Sequence, residues 1–106
     1  MSTASAAAAT FAALGDPVRL GLIARLSTGE SRSITALSGE TRLTRQAVTK
    51  HLHVLERAGL VRNLRVGRES RFAFTPEPIA GARAYLDAVS AHWDNALARL
   101  RTQVER

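Results

Sequence analysis

The sequence predicts a mainly α-helical fold with one small β-hairpin, and two patterns carry that prediction. Apolar residues recur at helical spacing through most of the 106 residues, and the clearest such series runs from Thr44 to Ala58. At Gly59 this pattern ends, and apolar and polar residues alternate instead. The alternation turns back at residues 67–69 and ends at Phe74, as expected of a hairpin. We therefore expect five helices and a two-stranded hairpin.

Two short helices are expected in the first part of the chain. Residues 1–9 are rich in alanine and serine, and we expect a flexible terminus that becomes helical near Ala6, since alanine is the best helix former. The first helix then ends near Leu14, with Phe11 and Leu14 on its apolar side. Asp16-Pro17 suits the start of the second helix, because Asp accepts hydrogen bonds from free N–H groups and Pro has no N–H to leave unpaired.

A short third helix and a longer fourth helix follow, with a turn between them. Ser33 is the expected N-cap of the third helix, which runs from Ile34 to about Gly39, and Thr44 is the expected N-cap of the fourth. Three apolar residues of the fourth helix recur at i, i+4 and i+7 and form a core stripe, namely Val48, Leu52 and Leu55. The outward face at the N-terminal end of this helix carries only polar side chains.

The last helix is longer than a domain of this size needs for its own core. Two prolines end the strand pattern, and the helix is expected from about Ile79 to Val104. Its apolar residues step by 3, 4, 4, 3 and 4 positions in a heptad-like series, namely Leu86, Val89, Trp93, Leu97, Leu100 and Val104. We interpret this series as a homodimer interface that also includes Phe11 and Leu14 of the first helix. A stripe packed within one chain is the alternative.

Positive charge is concentrated in one segment of the chain. The net charge is +6, and residues 42–71 hold eight basic and two acidic side chains, so this segment alone accounts for the whole excess. The basic residues are Arg42, Arg45, Lys50, Arg57, Arg62, Arg65, Arg68 and Arg71. Charge focused in this way is typical of a surface that binds a polyanion.

A polar-faced helix followed by a basic hairpin is the arrangement with which a winged helix-turn-helix reads DNA. The helix enters the major groove, and the hairpin, or wing, lies along the backbone. Four side chains of the fourth helix are expected to face base edges, namely Arg45, Gln46, Thr49 and His53. Arg can read guanine, Gln can read adenine, and Thr offers a hydroxyl group or meets a thymine methyl group. Thr44 at the helix N-terminus and the cationic Lys50 are expected to touch phosphate.

Three arginines of the hairpin suit a wing that contacts DNA. Arg68 lies at the expected tip and suits the minor groove, whereas Arg65 and Arg71 flank the tip and suit phosphates. A solvated hairpin in which Glu69 neutralises one arginine is the alternative. The chain is thus expected to comprise a flexible terminus (1–9), a winged-helix DNA-binding core (10–75) and a C-terminal dimerisation helix (76–106).

Composition excludes several other classes of protein. The chain has no cysteine, which rules out disulfides, thiolate metal sites and thiol redox switches. No apolar run approaches the roughly 20 residues that span a bilayer, and the N-terminus lacks the features of a signal peptide, so we expect a cytoplasmic protein without a membrane partner. A Gly-rich phosphate loop and a carboxylate–histidine cluster are also missing, so we expect neither an enzyme nor a cofactor.

Several motifs together resemble the ArsR family of bacterial winged-helix repressors. They cover about residues 10–75, and their order and spacing are specific although no single motif is decisive. The motifs are Asp16-Pro17-Val18-Arg19-Leu20, Val48-Thr49-Lys50-His51-Leu52-His53-Val54-Leu55, Ala58-Gly59-Leu60-Val61 and Gly67-Arg68-Glu69-Ser70-Arg71-Phe72. The resemblance implies a homodimeric transcriptional repressor whose recognition helices enter successive major grooves of an inverted repeat in promoter DNA.

The chain departs from the metal-sensing members of that family. Many members bind metals through cysteines on the helix before the recognition helix, and others through Asp and His on the last helix. Here residues 33–40 contain no thiol, and the last helix offers only Asp87, His92 and Asp94, of which His92 shares a helix face with neither aspartate. We therefore expect no metal site, and we interpret His92 as a packing or rim residue of the dimer. A small-molecule effector that binds between the last helix and the domain body stays open.

Two other interpretations also stay open. A sequence-tolerant architectural DNA-binding protein would show the same positive charge, because charge alone gives non-specific affinity. A winged helix used as a protein-interaction module would present an apolar or acidic face, whereas the face expected here is basic and polar. The polar recognition face favours specific DNA binding over both.

Overall fold

The computed structural model describes residues 3–105, so Met1, Ser2 and Arg106 at the ends of the expected segments lie outside the described residues. These residues form five helices and three strands. The elements are α1 (Thr3–Leu14), α2 (Pro17–Leu26), β1 (Arg32–Ser33), α3 (Ile34–Thr41), α4 (Arg45–Arg57), β2 (Val61–Val66), β3 (Glu69–Phe74) and α5 (Glu77–Val104). The predicted fold class, mainly helical with a small hairpin, is confirmed.

The core lies where α2, α3 and α4 pack on one face of the hairpin. The expected stripe of α4 is fully buried, and Leu60 and Val61 follow it into the core. The other buried members of this cluster are Ala13, Leu22, Ile23, Leu26, Leu37 and Phe72. Because one face of α4 is fixed in this core, its opposite face must lie at the surface.

The β-sheet has one strand more than the sequence predicted. The expected hairpin β2–β3 forms with Val61 opposite Phe74 and Val66 opposite Glu69. In addition, the short strand β1 pairs antiparallel with the outer edge of β3, which gives the order β1–β3–β2. A strand of two residues contains no alternation for a pattern to detect, so it was missed. It joins the N-terminus of α3 to the wing.

The burial of the hairpin residues does not follow the simple alternation of apolar and polar residues along each strand. Phe72 is buried and shares its face with Val61, which is also buried. Leu64 lies opposite Arg71 on the other face and is only half-buried, and Val66 is exposed. The outer half of the wing therefore projects beyond the core.

The first helix begins earlier than predicted. Helix starts at Thr3, not near Ala6, so the expected flexible segment 1–9 is helical over its described part. Alanine carries a high helix propensity, and Ala7 and Thr10 are buried within this stretch. Burial of one face of α1 explains why its alanines do not form a loose tail.

The last helix extends far beyond the core. α5 has 28 residues, and Ala82 is its only buried residue among those described. The described chain measures 69 × 28 × 21 Å along its principal axes, an elongated shape. Among residues 3–105 no single helix is long and apolar enough to cross a bilayer. Only α1 and α2 taken together have that length and apolar composition, and they are bent by 100° at the break between them.

Candidate nucleic-acid interface

The helices α3 and α4 form a helix-turn-helix with defined caps at both sides of the turn. α3 ends at Thr41, and its C-cap Arg42 adopts the left-handed conformation with φ 60°. The Ser38 hydroxyl donates a hydrogen bond to the Leu43 carbonyl and closes the turn. The Thr44 hydroxyl oxygen then accepts from the Ala47 N–H at 3.0 Å, so the predicted N-cap of α4 is confirmed. These contacts fix the direction in which α4 leaves the turn.

The outward face of α4 carries most of the side chains predicted to meet DNA. Arg45, Gln46, Lys50 and His53 are exposed, and none of them forms an ion pair within residues 3–105. Thr49 is half-buried, and its hydroxyl donates to the Arg45 carbonyl at 2.7 Å. The Thr49 hydroxyl oxygen can still accept a hydrogen bond from a base edge, and the Thr49 methyl group can still contact one.

Arg57 is a cation of α4 that was not among the residues predicted to contact DNA. Gln46, Lys50, His53 and Arg57 are spaced i, i+4, i+7 and i+11, so they form one line along the exposed side of the helix. Arg57 is exposed and in no ion pair among the described residues. The i+11 spacing from Gln46 was the available signal, and the predicted contacts ended at His53.

A basic cleft runs beside this line of residues. It has a volume of about 540 Å³, and no acidic side chain of the described residues lines it. Its lining residues are Arg19, Ala47, Lys50, His51, His53, Val54 and Arg57. Cations that line a concave surface, with no acidic side chain of the described residues among its lining, favour anions such as phosphate groups.

Two cations of the wing, Arg65 and Arg68, form no ion pair in the described chain. Gly67 turns the hairpin with φ 63°, a conformation that favours glycine. Arg68 follows at the tip, and Arg65 lies on β2; both are exposed. Their positions match those expected for contacts with the DNA backbone and minor groove.

Arg71 is placed differently from the prediction. Its Nε donates to the Ser31 hydroxyl at 2.9 Å, its Nη2 donates to the Ser31 carbonyl, and its Nη1 donates to Glu69 Oε1 at 3.0 Å. All three guanidinium nitrogens are therefore engaged within the chain. These contacts tie the wing to the segment before β1, and they leave Arg71 less free for phosphate than Arg65 or Arg68.

A polar cluster joins α1, α2 and α4 behind the recognition helix. Arg19 Nε donates to the Ala13 carbonyl, and its Nη2 donates to the Ala12 carbonyl at 3.4 Å. Its Nη1 lies 3.4 Å from His51 Nδ1, which accepts when the ring proton is on the other nitrogen. Asp16 Oδ2 caps α2 at the Arg19 N–H and lies 3.9 Å from His51 Nδ1. His51 is half-buried in this cluster and thus packs against the domain body.

The Asp16 carboxyl gives the stability of the fold an acid-side pH dependence. The Arg19 backbone N–H holds the pKa of Asp16 below its ordinary value of 3.8, with smaller contributions from the charges of Arg19 and His51. Because the folded pKa is lowered, the stabilisation is present above pH 3.8 and is lost as pH falls through the lowered value.

Asp16→Asn tests this dependence, because Asn also caps helices but does not titrate. We expect wild type to exceed the variant in free energy of unfolding by a constant margin near neutral pH. The margin should shrink below pH 3.8, as measured by urea unfolding over a pH series. A margin that is unchanged down to the acid transition would contradict the role given to this carboxylate.

All residues predicted for the dimer interface except Leu14 form an exposed apolar surface. We call the large apolar residues that α5 exposes the α5 stripe; they are Leu86, Val89, Trp93, Leu97, Leu100 and Val104. Trp93 is 65% exposed in the single chain. Phe11 of α1 is also exposed, whereas Leu14 is half-buried against the core. The alternative of a stripe packed within one chain is not what the structure shows.

Known proteins share this architecture. A family model described as a helix-turn-helix domain matches residues 14–63. The uncharacterized HTH-type transcriptional regulator YuzN of Bacillus subtilis (strain 168) is 38% identical over 77 residues, which cover 67% of this chain and 84% of YuzN. An ArsR-like transcriptional regulator from Rhodococcus sp. RHA1 is 33% identical, with a TM-score of 0.83 over 94% of this chain and 93% of that one.

A further solved structure is similar at the level of the fold. It is the homodimeric winged helix-turn-helix DNA-binding domain of a possible ArsR-family regulator from Mycobacterium bovis, determined by NMR. It is 24% identical, with a TM-score of 0.66 over 82% of this chain and 80% of that one.

The capped α3–α4 pair, the basic wing and the polar face of α4 define a winged helix-turn-helix DNA-binding protein. The relatives then place it more closely. The chain belongs to the ArsR-like family of helix-turn-helix transcriptional regulators. Among residues 3–105 no group of three or more His, Cys, Asp or Glu side chains is arranged to hold a metal ion.

Proposed function

We propose that the protein is a homodimeric repressor that binds an inverted repeat in promoter DNA. The exposed polar line of α4, set between a rigid core and a basic wing, carries this proposal. A repressor needs only to occupy the promoter, which requires no activating surface beyond the DNA-binding and dimer faces. Twofold symmetry would place two recognition helices in successive major grooves of a symmetric site.

Within this proposal, α4 supplies the contacts to bases. Arg45 reads guanine, Gln46 reads adenine, and Thr49 and His53 meet neighbouring base edges. Thr44 and Lys50 hold phosphates, and Arg57 extends the same line toward the C-terminal end of the helix. Exposure and the lack of ion pairs among the described residues support these roles for the charged members.

The wing supplies contacts to the DNA backbone. Arg68 enters the minor groove or touches its phosphates from the tip, and Arg65 holds a phosphate from the flank. Arg71 keeps the hairpin in position through Ser31 and Glu69. We therefore assign to Arg71 the role of a positioning residue, in place of the phosphate contact that the sequence suggested.

The α5 stripe and Phe11 form the dimer interface in this proposal. An apolar surface of this extent is unusual on a monomer and marks an interaction site. The similar domain from Mycobacterium bovis is homodimeric, which supports the same assembly here.

DNA binding is tested by fluorescence anisotropy of the protein on DNA from upstream of its own gene. Shuffled DNA of equal length is the control, and both are titrated over a salt series. We expect a preference of about a thousandfold or more at physiological salt, the lower bound typical of specific regulators. Equal and steeply salt-dependent binding to both DNAs, with no site recovered in a genome-wide selection, would favour the architectural alternative.

Removal of the cation at the wing tip should weaken binding without changing specificity. Arg68→Gln should lower affinity for operator and shuffled DNA alike, and flatten the salt slope by about one unit per chain, because one phosphate contact is lost. The same anisotropy titrations measure both quantities.

Arg101→Gln is the matched control, because it removes one exposed arginine from the last turn of α5. We expect its salt slope to equal that of wild type. An unchanged slope for Arg68→Gln, or an equal change in both variants, would mean that the wing tip does not meet phosphate.

A further inference from the structure

A second concave site lies away from the DNA-facing cleft. It is a partly open cavity of about 420 Å³ between α1, the C-terminal end of α4 and the start of α5. This volume is within the range of about 300–1,000 Å³ that is typical of small-molecule sites. Most of its wall is apolar and made of small residues, including Ala6, Ala7, Ala58, Pro78 and Ala82. An apolar molecule would be favoured here over a polar one.

Two charged side chains line this otherwise apolar wall. Arg57 is exposed and forms no ion pair with any residue between 3 and 105, Glu77 on the same wall included. Glu77 lies in the first turn of α5, where the helix dipole already favours a negative charge. Pro76, the N-cap of α5, makes no side-chain hydrogen bond to the free N–H groups of that turn. The α4 end of the cavity is thus suited to an anion.

We propose that this cavity binds a small carboxylic acid with an apolar body. The apolar part packs on the small side chains of α1 and α5, and the carboxylate pairs with Arg57 in a charge-assisted contact. Glu77 opposes this binding, because it places a second negative charge on the same wall. The two residues therefore have opposite predicted effects on the affinity for one ligand.

The position of Arg57 connects the cavity with the DNA-facing side of α4. Arg57 lines the cavity and also the basic cleft that contains Lys50 and His53. A carboxylate bound to Arg57 neutralises a charge in the line of residues that we propose to face DNA. Ligand binding should therefore weaken DNA binding, and this second half of the inference rests on the proposed function.

Binding of the ligand is tested first without DNA, on the full chain. The probe is hexanoate, compared by titration calorimetry with hexan-1-ol, hexylamine and acetate at equal ionic strength. We expect one hexanoate per chain, with hexan-1-ol about tenfold weaker because it lacks the charged contact. Tighter binding of hexylamine than of hexanoate, or no binding of hexanoate, would overturn the proposal.

Three variants locate the binding in this cavity. Arg57→Gln should weaken hexanoate about tenfold and Glu77→Gln should strengthen it, because they remove the attracting and the opposing charge. Gly81→Leu should abolish binding, since Gly81 lines the cavity and a Cβ there meets no heavy atom within 4 Å. Circular dichroism checks that each variant is folded. Unchanged hexanoate affinity in Gly81→Leu would show that hexanoate does not bind in this cavity. A shift of this variant's sedimentation toward monomer would show that the cavity is occupied by a second copy of the chain.

DNA binding is then measured with and without hexanoate. We expect hexanoate to weaken the binding of wild type and to have no effect on Arg57→Gln. If hexanoate binds the cavity but leaves DNA affinity unchanged, the coupling through Arg57 is wrong. If the protein binds no DNA at all, the proposed function fails, while the calorimetric result for the cavity still stands.

Discussion

Truncation of Trp93 is expected to separate the dimer into chains that no longer bind the operator. Trp93 is the largest side chain of the α5 stripe and is 65% exposed in one chain, so a partner must cover it if the stripe is an interface. Loss of a buried aromatic side chain costs about 3–5 kcal/mol. For Trp93→Ala this corresponds to a dissociation constant raised by at least about a hundredfold. Sedimentation equilibrium measures that constant directly.

Leu20→Ala is a suitable control for the dimer experiment. Leu20 is 51% exposed on α2 and lies outside the α5 stripe, so its truncation removes exposed apolar surface elsewhere. We expect this variant to keep the dimer dissociation constant and the operator affinity of wild type. A Trp93→Ala variant that remains a stable, DNA-competent dimer would remove Trp93 from the interface.

Loss of a base contact should change specificity as well as affinity. Arg45→Ala or Gln46→Ala should weaken operator binding by about 1–3 kcal/mol, because a bidentate contact to one base is lost. Preference at one base pair of each half-site should relax at the same time. Anisotropy on a panel of operators, each with a single changed base pair, measures the affinity and the preference together.

Binding to shuffled DNA distinguishes base contacts from phosphate contacts. Arg45→Ala should lose much less affinity for shuffled DNA than for the operator, whereas Arg68→Gln should lose the same on both. Equal losses for Arg45→Ala on both DNAs would move Arg45 from base edges to the backbone.

The sequence was sufficient for the parts of the fold that local chemistry decides. Thr44 caps α4 because a hydroxyl can accept from the Ala47 N–H, and this depends only on residues three apart. The core stripe of α4 follows from its helical spacing in the same way. The polar face of α4, and with it most of the candidate DNA site, could be predicted because it is what remains opposite the stripe.

Contacts between distant parts of the chain were not predictable in this way. Arg71 was expected to suit a phosphate, but its partner Ser31 lies 40 residues earlier and reaches it only through the pairing of β1 with β3. The early start of α1 depends similarly on the burial of Ala7, which no local pattern showed. Arg57 was overlooked for a different reason, because its spacing from Gln46 was visible but was not extended to the end of the helix.

The guanidinium of Arg19 has a consequence for the geometry of any operator. It links the C-terminal carbonyls of α1 to His51 on α4, so a helix proposed to lie at the dimer axis is mechanically coupled to the helix proposed to read bases. In the proposed dimer, the separation of the two α4 helices then depends on the hydrogen bonds of Arg19 as well as on the α5 stripe. In that dimer, a small tilt of α1 would be transmitted through Arg19 to α4 and would change the number of base pairs that best separates the half-sites.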